Sequence, residues 1–95
     1  MLEDVDSYIQ ERPDSALAVL DSIDRTKLTG KKETALYSLL YTMALDKNYK
    51  DPVDESLIEP AVKYYSKHGD PDTRLKAFFY QGVIFGNQRN YNKAI

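Results

Sequence analysis

The chain of 95 residues contains no cysteine. That absence excludes disulfides, thiolate metal sites and thiol nucleophiles together, and it leaves the compartment open, because a reduced cytosol and a cysteine-free envelope domain look alike. Histidine occurs once, at His68. A general base or metal ligand needs partners, and no second histidine supplies them, so a hydrogen-bonding residue beside a helix-ending Gly69 is the simpler reading. No apolar run approaches the length that crosses a bilayer. The N-terminus, Met1-Leu2-Glu3-Asp4, is acidic where a secretory signal is basic. Positive charge is not in excess either: the net charge is -2 and the pI about 5.3. Phosphate-backbone binding needs clustered Lys and Arg, so no nucleic-acid partner is expected. The same shortage argues against the eight tyrosines and three phenylalanines as a base-stacking platform, which comes with a positive groove. The carboxylates Asp51, Asp54, Glu55, Asp70 and Asp72 lack the looped spacing and central glycine of a calcium site and read as helix caps. No cofactor or metal is expected. No convergent set of titratable groups surrounds a nucleophile, so the sequence does not read as an enzyme.

What is present is helical periodicity. Leu2, Val5, Tyr8 and Ile9 mark a short amphipathic helix, and Pro13-Asp14 restarts the chain with Ala16, Leu17, Leu20 and Ile23 inward. Thr29 is the expected N-cap of a third helix. That helix is apolar nearly all round, through Leu36, Leu39, Leu40 and Met43 with Tyr37, Tyr41, Ala44 and Leu45 on the flanks, and so needs neighbours on two sides. A fourth helix is expected to open at Asp54-Glu55-Ser56. Pro60 then either sits in a late first turn or kinks it. Pro71-Asp72-Thr73 begins a fifth helix carrying Leu75, Phe78, Phe79, Gly82, Val83 and Phe85. A polar turn should follow, with Asn90 as N-cap of a sixth. No segment alternates with period two, so the expected class is all-α.

Phe78, Gln81, Gly82, Phe85, Tyr91, Ala94 and Ile95 fall at the spacing of a tetratricopeptide repeat (TPR), and the chain resembles that family there. Ala16, Ser56 and Ala94 recur at similar intervals, somewhat longer than the ideal of about 34 residues. Pro13-Asp14-Ser15-Ala16 leading to Asp21-Ser22-Ile23-Asp24 also looks like the N-terminal sensory region of bacterial TPR-containing regulators. The resemblance implies antiparallel helix pairs, at about 1–24, 30–68 and 73–95, stacked as a right-handed superhelix with the last pair truncated. It implies a single domain cut from a longer protein. It also suggests the periplasmic side of the bacterial cell envelope, with the cytoplasm as the alternative.

A scaffold of this kind buries one side and offers the other. The function expected is non-catalytic protein or peptide binding, as the sensing or interaction part of a larger regulator. The alternative is a structural spacer or oligomerisation element without a peptide ligand. By register with the family, the concave surface draws on Ser38, Tyr41, Leu45 and Asn48 of the third helix, and on Lys76, Phe79, Tyr80, Val83 and Asn87 of the fifth. Gly82 should pack closely on the sixth helix. With that helix cut short, a homodimer through the C-terminal helices is expected.

Overall fold

Among the described residues, five α-helices and two 3-10 turns run in order: α1 (Leu2–Tyr8), α2 (Pro13–Ser22), the turn Arg25–Lys27, α3 (Gly30–Lys47), the turn Glu55–Leu57, α4 (Glu59–Tyr65) and α5 (Pro71–Ala94). The computed structural model describes residues 2–94, with side chains for residues 2–90. No strand occurs among them. The fold is all-α, as the periodicity requires.

α3 lies at the centre, against α1, α2, α4 and α5. Its all-round apolar character has this cause: Tyr37, Leu39, Leu40, Met43 and Ala44 are each buried. Two polar residues are buried with them. The Thr42 hydroxyl donates to the Ser38 carbonyl one turn back at 3.0 Å, and the Ser38 hydroxyl donates to the Leu57 carbonyl. α2 opens on Pro13 and turns Ala16, Leu17 and Leu20 inward. α1 contributes Leu2 and Val5, with Ile9 just beyond its end.

The loops are held by carboxylates. Asp24 Oδ1 accepts from the Thr26 backbone N–H and hydroxyl at 3.0 and 2.7 Å. Asp54 repeats the arrangement with Ser56 at 3.0 and 2.8 Å. Asp70 accepts from the Thr73 N–H at 2.7 Å and caps α5. Hydrogen bonds to the charged form hold all three carboxyls below their ordinary value: the hydroxyl first for Asp24 and Asp54, the backbone N–H first for Asp70.

Three local expectations change. Asp54 caps the 3-10 turn rather than α4, which starts later and places Pro60 in its first turn, where a missing N–H breaks no bond. Thr29 occupies the N-cap position of α3 without a side-chain cap bond; its hydroxyl donates to Glu33 instead, at 3.0 Å. Most consequentially, no turn follows Phe85. α5 continues to Ala94, so Asn90 lies inside a helix and starts none. Gly82 and Gly86 each cost such a helix about 1 kcal/mol relative to alanine, which does not break it. The polar segment is anchored from outside: Asn87 Nδ2 donates to the Pro52 carbonyl at 2.9 Å and Gln88 Nε2 to that of Val53 at 2.7 Å. The expected roles of Tyr91, Ala94 and Ile95 in a sixth helix fall outside the described side chains.

A structural repetition emerges here. Asn48, at the end of α3, donates to the Pro13 carbonyl at the start of α2, also at 2.9 Å and also across 35 residues. Asn48 stands as far from Asn87 as Pro13 does from Pro52. Aligned on these clasps, α3 corresponds to α5 and Tyr41 to Tyr80, while Leu36, Leu39, Leu40 and Met43 correspond to Leu75, Phe78, Phe79 and Gly82. In each half a short helix precedes a long one whose asparagine reaches back to a proline carbonyl, Asn48 just past the end of α3 and Asn87 within α5.

Candidate functional site

α5 carries two apolar faces. Ala77, Tyr80 and Ile84 repeat at helical spacing and are buried where α5 meets α3 and α4. The Arg74 guanidinium fixes this seating by donating to the Tyr65 carbonyl, the last residue of α4, at 2.8 Å. The other face is larger and open. Leu75 is 71% exposed and Phe79 61%, with Phe78 and Phe85 exposed beside them. Gly82 and Gly86 lie in the same stripe, and a Cβ on either would meet nothing within 4 Å. Gly82 therefore does not pack against another helix, contrary to the expectation drawn from the repeat spacing.

The four large side chains leave about 400 Å² of apolar surface in water, taking roughly 200 Å² for each. A contiguous patch of that size lies in the range that marks interaction sites. The structural repetition shows what such a face is suited to. Its counterpart on α3, through Leu39, Leu40 and Met43, is fully covered by packing against neighbouring helices.

The residues expected to line a concave surface do not form one. Ser38 and Tyr80 are in the core, with the Ser38 hydroxyl committed to Leu57. The Asn48 amide donates to the carbonyls of Pro13 and Ala44 at 2.9 and 2.6 Å. Asn87 is likewise spent on Pro52. Leu45 and Val83 are half-buried against the core. Family register places small and polar residues facing a ligand, but these have found partners within the fold. Of these residues only Phe79 and Lys76 are exposed.

Tyr41 has a structural post. Its hydroxyl donates to Asp21 Oδ1 on α2 at 2.6 Å, and its ring stands 5.6 Å from that of Tyr37. The Arg25 guanidinium lies over both rings, 5.3 Å from Tyr37 and 5.2 Å from Tyr41. The bond to Asp21, then burial, pushes the Tyr41 hydroxyl up to about 12. This cluster joins α2 to α3.

A second surface feature is an open depression of about 980 Å³ between the start of α3 and α4, edged by Lys31, Lys63, Lys67 and His68. Its basic groups are all exposed. Lys63 is paired with Glu59 at 2.8 Å, and His68 stacks on Tyr64 with ring centres 4.7 Å apart. Among the described residues, no group of three or more His, Asp or Glu is placed to hold a metal ion, and no helix is long and apolar enough to cross a membrane. The open face of α5 is thus the strongest candidate site. No family model, curated protein or solved structure matches this chain.

Proposed function

We propose that the chain is a non-catalytic protein-interaction module whose docking surface is the open face of α5. The observation that carries this reading is the alignment of Leu75, Phe78, Phe79 and Phe85 on one exposed stripe. Their exposure leaves apolar area whose burial supplies binding energy at roughly 25 cal/mol per Å² before the costs of association. Gly82 and Gly86 let a partner backbone approach where side chains would hold it off. The partner that suits a straight stripe of this kind is an amphipathic helix presenting its own apolar side. The setting suggested by the TPR resemblance is the interaction part of a larger bacterial regulator.

The test places a photoreactive benzoylphenylalanine at position 79 and, separately, at exposed Ala18 on α2, in cells that express the protein. Adducts identified by mass spectrometry at position 79 and absent at 18 are expected. Equal labelling at both positions, or none at 79, overturns the reading.

A further inference from the structure

The occupant of the α5 face can be argued from the order of residues along it. Asp72, Leu75, Phe79, Gly82, Gly86 and Arg89 recur at alternating steps of three and four, the seam of a helix that pairs with another helix. Large and small residues divide between its two ends. Leu75 and Phe79 occupy the N-terminal half, and Gly82 and Gly86 the C-terminal half. Charge divides the same way, with Asp72 at one end and Arg89 at the other. Both are exposed, and neither has an ion-pair partner among the described residues.

Such a seam is complementary to itself when reversed. We infer that α5 docks on α5 of a second copy of this chain, antiparallel, about a two-fold axis level with Tyr80 and Gln81. This deepens the reading given above and rests on it. In that register Asp72 stands opposite Arg89 of the other copy, Leu75 opposite Gly86, and Phe79 opposite Gly82. Along the seam each large side chain meets a glycine, and each acid meets a base, twice over by symmetry. On one flank Phe78 lies across from Phe85 of the second copy, at a spacing suited to edge or offset ring contact. The parallel arrangement fails on the same residues. It sets Asp72 on Asp72, Arg89 on Arg89 and Phe79 on Phe79, leaving the glycines facing one another across a gap.

The magnitude is modest. Two faces bury about 800 Å² of apolar surface and, with their polar rims, about 1,000 Å² in all, the lower bound for a specific interface. The dimer is therefore weak and concentration-dependent, and electrostatics at its ends has leverage over it.

Sedimentation equilibrium of the 95-residue chain, from micromolar to millimolar concentration, tests the inference with four variants. Asp72→Arg and Arg89→Asp each turn two attractions into two repulsions and should raise the dissociation constant about ten-fold. The double variant restores both pairs in reverse and should return to within about three-fold of the parent. Phe79→Glu should abolish the dimer. All three positions are exposed, so unchanged circular-dichroism melts at low concentration verify the fold. A dimer that ignores the charge swaps yet is lost in Phe79→Glu overturns the antiparallel register, while the docking face stands. A strict monomer at millimolar concentration overturns self-pairing. In that case adducts of position 79 with a different protein still support the proposed function, and their absence removes both.

Discussion

Gly82→Ala separates the observed fold from the one implied by the repeat spacing. If a sixth helix packed on Gly82, a methyl group there would overpack the contact and destabilise the chain. In the structure the space holds no atom within 4 Å of the new Cβ, and the residue is deep inside a helix of 24 residues. Replacing glycine by alanine in such a position restricts the unfolded chain and fills nothing. The expected gain is about 0.5–1 kcal/mol. For a domain of this size, 1 kcal/mol moves the thermal midpoint by about 4–8 °C, so a rise of about 2–8 °C is expected. Gly86, one turn further along the same open face, should give a similar gain, and the two should nearly add. The assay is far-UV circular dichroism on heating, at a concentration low enough to keep the chain monomeric. A lower midpoint in either variant would show that something in the monomer covers the face, and the description of α5 as open would fall.

Three further outcomes follow from other contacts. Ile84→Ala should cost about 2–5 kcal/mol because the side chain is wholly buried, whereas Phe79→Ala should stay within about 0.5 kcal/mol, as measured by urea denaturation; equal losses would refute the assignment of the two faces. Asn48→Ala and Asn87→Ala each remove a clasp to a proline carbonyl, and each should cost about 1 kcal/mol; a loss confined to one would break the structural equivalence of the halves. Tyr41 keeps its proton up to about 12 when folded against 10.0 otherwise, so it adds stability below pH 10 that drains as pH rises towards 12. Tyr41→Phe should lower stability by about 1 kcal/mol at pH 8 and flatten its decline across that window; an unchanged slope would mean that Asp21 does not hold the hydroxyl.

The helices were legible in the sequence wherever an apolar stripe and a start signal coincided. Pro13 with Ala16, Leu17 and Leu20 is one case, and the near-continuous apolar run of α3 is another. The continuation of α5 was not, and the reason is physical. Gly86 through Asn90 has the composition of a turn, and what keeps it helical is the reach of Asn87 and Gln88 to carbonyls 35 residues away, which no local window contains. The site was half legible. Periodicity places Leu75, Phe78, Phe79 and Phe85 on one helix, but family register groups Phe79 with Tyr80 and Val83, and α5 has two apolar faces. Which of them the fold covers depends on α3 and α4. The smaller face, Ala77–Tyr80–Ile84, won because Tyr80 and Ile84 fit against the core while the phenylalanines stand away from it. Ser38 and Asn48 misled for a related cause: a small polar residue at a ligand-facing register is equally able to satisfy a loop carbonyl.

The asparagine clasps have a kinetic consequence. Each closes a loop of the same length, one over residues 13–48 and the other over 52–87, and neither crosses between the halves. The entropy of loop closure is thus met twice over moderate spans rather than once over the whole chain. Because α3 packs on α4 as well as on α2, native-state hydrogen exchange should show the centre of α3 opening only with the whole molecule, whereas α5, exposed to water along one side, should open at lower free energy. The helix that presents the docking face is then among the first to yield.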